Sequence, residues 1–173
     1  MPTSVVLSRF GQTAREALPF LSALISVFLG AVAWPLPAWG PIAPAWGLMA
    51  LYYWAIHRPD IFGPFSVFIL GLITDVLGFG PVGLSAFIFV GLHHVLVRQR
   101  RLFVGHTFAQ LWGGFALVAI SVNLVQALVV SFNQGQIVPL VPLGIQTFLT
   151  LSLFPLPAWV FIRLQRTFLS LKD

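Results

Sequence analysis

Six apolar runs, joined by connections of about ten residues or fewer, take up most of this 173-residue chain. They are approximately Leu18–Trp34, Ala43–Ile56, Pro64–Leu77, Val82–Val97, Thr107–Phe132 and Val138–Leu164. A bilayer core takes roughly 20 apolar residues to cross as a helix. The second and third runs are short for that, so they extend into flanking residues or sit at a mismatch. The runs are continuous rather than alternating, which argues against a β-barrel. The expected fold is therefore all-α: a polytopic integral membrane protein of six transmembrane helices, forming a single transmembrane domain over residues 1–173. Pro139 and Pro142 suit the first turn of the last span. Pro155 and Pro157 lie inside it and predict a kink.

The basic residues give the orientation. Arg9 and Arg15 precede the first span, and Arg58 lies between the second and third. Arg98, Arg100 and Arg101 lie between the fourth and fifth; Arg163, Arg166 and Lys172 fall at the end of the sixth or after it. The other three connections carry none of the nine Lys and Arg residues. Lys and Arg mark cytoplasmic loops, so both termini are expected in the cytoplasm. Trp34 and Trp39 then fall at the outer interface, and Trp54 and Trp159 towards the inner one.

Composition narrows the function. The chain is 58% hydrophobic and 8% charged, with mean hydropathy +0.96. Too little polar surface remains to cover a soluble domain. The net charge of +5 sits at the ends of apolar runs, so anionic membrane lipids are the expected partner and nucleic acid is not. Cysteine is absent, which removes disulfides, thiolate metal sites and thiol nucleophiles. The first apolar run follows Arg15-Glu16 without a small-x-small cleavage pattern, so a retained span is expected rather than a cleaved signal.

The most informative stretch runs from Gly71 to Ala86. Asp75 is the one acidic residue inside an apolar run. A carboxylate in hydrocarbon is costly and needs a partner. The turn Gly78-Phe-Gly80-Pro81-Val-Gly83 is short enough to supply one. The helix after it begins near Pro81 or Val82 and has first-turn N–H groups without intrahelical acceptors, at the positive end of its dipole. Asp75 can fold across the turn and accept from N–H groups near Gly83 and Leu84. Gly78, Gly80 and Gly83 permit close approach and positive φ, and Pro81 suits a first helical position. This makes Asp75 a staple for a helical hairpin. The alternative is that it binds a proton, a cation or a substrate.

Other polar residues carry weaker signals. Asn123, Gln126 and Gln146 can share a polar cluster with Asp75, or each can act as packing glue between helices. Asp60 reads best as an N-cap of the third span. His57, His93, His94 and His106 all lie near cytoplasmic ends. His93 and His94 point in different directions on a helix, and no HExxH is present, so no metal site is expected. Tyr52-Tyr53-Trp54 reads as an interfacial aromatic cluster. With Arg58, Pro59, Arg98, Arg100 and Arg101 it is expected to form a cytoplasmic rim for lipid headgroups or a partner. Catalysis finds little support, because the histidines and Asp75 lie towards opposite faces. No phosphate-cradling glycine loop occurs, and no cofactor is expected.

Taken in order, several motifs resemble a known family. Tyr52-Tyr53-Trp54 ends one span and Arg58-Pro59 follows. The next span closes in Gly71-Leu-Ile-Thr-Asp75-Val-Leu-Gly78, and a turn with Pro81-Val-Gly83-Leu leads into the fourth. This order resembles MreD, the rod shape-determining membrane proteins of bacteria. The likeness covers the second to fourth spans; elsewhere it rests on size, span number and charge placement. It implies a non-enzymatic scaffold of the cell-elongation machinery in the bacterial cytoplasmic (inner) membrane. The implied partners are an MreC-like single-span protein, the MreB filament, and the peptidoglycan polymerase RodA with its transpeptidase. It also implies a distant fold similarity to the substrate-binding S-components of energy-coupling-factor transporters. The alternative function is accordingly a small-molecule-binding transporter subunit, with Asp75, Asn123, Gln126 and Gln146 lining its pocket. The family's most recognisable motif falls on Asp75 and its flanking glycines.

Overall fold

The computed structural model describes residues 3–31, 42–78, 81–102, 107–135 and 138–169, and their regular structure is entirely helical. The helices are α1 (Thr3–Ala31), α2 (Trp46–His57), α3 (Pro64–Leu77), α4 (Leu84–Gln99), α5 (Phe108–Gln134), α6 (Leu140–Leu153) and α7 (Pro155–Leu164). Segments 108–133 and 140–167 are long and apolar enough to cross a membrane, while 17–31, 64–77 and 84–99 are shorter apolar helices. Trp34 and Trp39 fall outside the described residues.

Helix α2 is the centre of the molecule. Every residue from Gly47 to Ile56 is buried. A helix that is apolar on every face is stable only when enclosed, and α1, α3, α4, α5 and α7 all pack against this one. Tyr52, Tyr53 and Trp54 are therefore not an interfacial rim; they are at most 1% exposed and form the core. Each spends its polar atom on a different neighbour. The Tyr52 hydroxyl donates to the Leu111 carbonyl on α5 (3.0 Å), and Tyr53 to Gln165 Oε1 beyond α7 (2.8 Å). The Trp54 indole N–H donates to Ser22 Oγ on α1 (2.9 Å). A buried donor left without such a partner costs about 1–3 kcal/mol. The rings add contact of their own. Phe115 and Phe154 stack at 4.1 Å, and Tyr52 meets both edge-on at 5.3 and 5.9 Å.

Proline sets the boundaries. Pro64 occupies the first turn of α3, where its missing N–H costs nothing, and Gly63 is the N-cap. Asp60 is thus not the cap; it is exposed in the preceding turn, where the N–H groups of Ile61 and Phe62 both donate to the Arg58 carbonyl. Further on, Phe154 divides α6 from α7 at the proline pair. Pro155 has no N–H to give the Leu151 carbonyl, and the Trp112 indole N–H of α5 takes its place at 3.0 Å. One turn earlier the fully buried Thr150 hydroxyl donates to the Gln146 carbonyl (2.7 Å) and accepts from the Ala45 N–H (3.1 Å). That bond ties α6 to the start of α2.

Much of the outside is apolar. On α5, Leu117, Ile120, Leu124, Leu128 and Phe132 are all more than half exposed. On α6, Leu140, Val141 and Phe148 are too. A contiguous apolar face of this extent is foreign to soluble monomers and suits contact with lipid.

Candidate functional site at the α3–α4 turn

Asp75 lies in the last turn of α3 and is 4% exposed. Its Oδ2 accepts the Gly83 N–H at 2.7 Å. The Ser85 N–H reaches both carboxylate oxygens, Oδ1 at 3.0 Å and Oδ2 at 3.1 Å. The Leu84 N–H between them turns instead to the Pro81 carbonyl (3.1 Å). Two of the donors that open α4 are thus satisfied by an anion from the neighbouring helix. The α4 dipole favours negative charge at that point.

The backbone permits this at two glycines. Gly83, the N-cap of α4, has φ +99°, a left-handed conformation that strains any residue with a Cβ. This left-handed step also explains why α4 begins only at Leu84. Pro81 is consequently a turn residue and not the first residue of the helix, as its spacing had suggested. Gly71 marks the close approach of α3 to α4. A Cβ there would lie 2.4 Å from Ala86 Cα and 2.7 Å from Ala86 N, distances that real structures do not adopt. Gly78 caps α3 with φ −84° and its N–H on the Thr74 carbonyl (2.9 Å), so positive φ is not its role. Gly80 falls outside the described residues.

The expected polar cluster divides. Gln126 Nε2 donates to Ser85 Oγ at 3.3 Å and so reaches the Asp75 site at one remove. Asn123, 3% exposed, donates to Thr147 Oγ1 (2.8 Å), which joins α5 to α6 and not to Asp75. Gln146 is half-buried, and its carbonyl accepts from Thr150. Sequence reasoning missed Ser85, whose N–H and hydroxyl serve different partners. Its place four residues past the turn proline, Pro81, was the available signal.

At the other end of the helices, Arg98, Arg100 and Arg101 are exposed, while Arg58 and Pro59 are half-buried. Two of the histidines have specific structural work. His93 is buried, and its Nε2 lies 2.8 Å from the Phe62 carbonyl. A carbonyl only accepts, so that nitrogen carries the hydrogen and pins the α2–α3 connection to α4. His57 Nδ1 bonds the Tyr53 carbonyl (2.9 Å) and its ring stacks on Tyr53 at 4.2 Å. His94 is exposed, and His106 falls outside the described residues. Among the described residues no three His, Cys, Asp or Glu side chains gather as a metal site would require.

An all-helical body with an apolar exterior, a buried carboxylate used as a helix staple and two helices of membrane-spanning length defines a helical membrane protein. The chain belongs to the MreD family: the model for rod shape-determining protein MreD matches residues 13–165, which is most of its length. That family consists of membrane proteins with a structural role in rod-shape determination. No curated protein and no solved structure matches the chain.

Proposed function

We propose that this protein is a non-enzymatic membrane scaffold of the bacterial cell-elongation machinery. It holds an MreC-like single-span partner beside peptidoglycan synthesis enzymes in the inner membrane. The family match over residues 13–165 carries this reading. In it the chain crosses the bilayer six times, with α6 and α7 together as the last crossing, and both termini are cytoplasmic. The segregation of Lys and Arg supports that orientation. The apolar faces of α5 and α6 meet lipid or the partner's span. Asp75, Gly71, Gly78, Gly80, Pro81 and Gly83 fix the extracytoplasmic end of α3 and α4. Arg58, Arg98, Arg100 and Arg101 meet anionic headgroups and filament-side partners.

The transporter-subunit alternative is disfavoured by how its polar residues are used. Asn123 is committed to Thr147, Gln126 to Ser85, and Asp75 to two backbone N–H groups. The test is affinity purification from the membranes of a rod-shaped bacterium whose own copy has been replaced by this chain. Recovery of a single-span periplasmic protein with elongation enzymes, in cells that keep their rod shape, is the expected result. Recovery of a transmembrane coupling subunit with ATPases would overturn it.

A further inference from the structure

The outward faces of this fold differ in length. Helix α3 has 14 residues and α4 has 16, so at roughly 1.5 Å per residue they span about 21 and 24 Å. Helix α5 has 27 and spans about 40 Å. On α5 the exposed large apolar residues run from Phe108 to Phe132, roughly 36 Å along the axis. The exposed Ser121 on that face spends its hydroxyl on the Leu117 carbonyl (2.8 Å). The outward strip of α4 is shorter. It takes in Val82, Phe87 and Gly91, then meets exposed His94 roughly 15 Å from Leu84 and exposed Arg98 at roughly 21 Å.

A bilayer core is about 30 Å thick. Tilt fits a long helix to it: about 30° brings the outward face of α5 to about 31 Å. Tilt cannot help α3 or α4, because it only reduces the thickness that a helix spans. Sinking the α3–α4 turn below the surface is no remedy either. Gly78 and Val82 are exposed on the outside of the protein, and irregular backbone in contact with lipid does not occur within the hydrocarbon. At the other end an extended Arg98 side chain regains part of the shortfall. His94, with a shorter side chain, stands one turn nearer the α3–α4 turn. The hairpin itself cannot stretch, since Gly71 seats α3 on the Ala86 backbone and Asp75 closes the turn. A bilayer, in contrast, yields at modest cost per ångström of mismatch.

We propose that this protein thins the bilayer along its α3–α4 flank by several ångströms, while the α5 flank keeps the ordinary thickness. The partner that fits the exposed face of α3 and α4 is therefore lipid with short acyl chains. The inference rests on the reading that α3 and α4 cross the membrane, and the test separates its failure from the failure of that reading.

The chain has no cysteine, so single labels are placed without background. Nitroxides go at Val82→Cys in the turn, Phe87→Cys on α4 and Gln99→Cys at its end, all exposed positions. Leu117→Cys and Phe132→Cys, also exposed, are a pair on α5 about as far apart as the ends of α4. In vesicles of bacterial phospholipid, power-saturation EPR compares access by oxygen, which concentrates in hydrocarbon, with access by a water-soluble nickel chelate. Labels at 82 and 99 are expected to favour the chelate and the label at 87 oxygen. Water then lies at both ends of a segment of about 23 Å. The α5 pair is expected not to reach water at both of its ends. A fluorophore at Phe87→Cys or at Ile120→Cys on α5 next reports the adjoining lipid, in vesicles that mix short- and long-chain phosphatidylcholine with one of the two brominated. Quenching at 87 should favour the short chain by about twofold or more, with no preference at 120. A label at 82 that favours oxygen would place the turn inside the hydrocarbon and overturn the proposal. So would quenching at 87 that shows no preference for the short chain. A label at 87 that favours the chelate would overturn the crossing of α3 and α4 itself, and the thinning with it.

Discussion

The two hairpins of this protein are held together in opposite ways. The α3–α4 hairpin joins by contact: Gly71 lets the backbones meet, and a buried carboxylate closes the turn. The α5–α6 hairpin joins by side-chain hydrogen bonds, Asn123 to Thr147 and Trp112 to the Leu151 carbonyl, and leaves much of its surface exposed. A backbone contact has no room for a substituent and tolerates almost no change. A hydrogen bond between membrane helices contributes only about 0.6–2 kcal/mol and can be lost singly. The first hairpin is held by a contact that admits no substituent, and the second by bonds that can be lost one at a time.

Substitutions break or sharpen this contrast in a definite order. Gly71→Val carries the largest effect. Its side chain would enter the Ala86 backbone, so α3 and α4 must separate; loss of the folded protein from detergent extracts, read by size-exclusion chromatography, is expected. Gly83→Val comes next, because a β-branched residue at φ +99° strains the α4 N-cap by about 1–3 kcal/mol. It should lower the thermal midpoint in detergent. Tyr52→Phe follows. It keeps the ring against Phe115 and Phe154 but removes the donor to the Leu111 carbonyl, a loss of about 1 kcal/mol. Asn123→Ala is the smallest, at about 0.6 kcal/mol. If Asn123→Ala destabilised as much as Gly71→Val, the two hairpins would not differ in kind.

The same contrast explains what the sequence made legible. The Asp75 site was readable because its partners lie eight and ten residues away across a turn too short to lead elsewhere. The glycines and the helix dipole narrowed the donors to the start of α4. Gly71 appeared in the motif, but its contact with Ala86 depends on how closely the two helices cross, which spacing does not state. Tyr52, Tyr53 and Trp54 were misplaced for a related reason. Two tyrosines and a tryptophan near a span end suit an interface by composition, yet their bonds to Leu111, Gln165 and Ser22 bridge 59, 112 and 32 positions. The available clue was that the run from Gly47 to Ile56 lacks a polar face, which marks an enclosed helix. The division at Phe154 was legible from Pro155 and Pro157, whereas the Trp112 indole that satisfies the freed carbonyl comes from another helix.

The central claim is that Asp75 holds the α3–α4 turn by satisfying the first N–H groups of α4. Amide hydrogen exchange at Gly83 and Ser85, measured by NMR for wild type and Asp75→Ala in the same membrane mimetic, tests it most directly. Neither amide has an acceptor within α4, so their protection comes from the carboxylate. Removing it should speed exchange at both by at least about tenfold, the equivalent of roughly 1.4 kcal/mol, while amides in the middle of α2 keep theirs. Unchanged protection at Gly83 and Ser85 in Asp75→Ala would show that something else holds the turn, and the staple would be wrong.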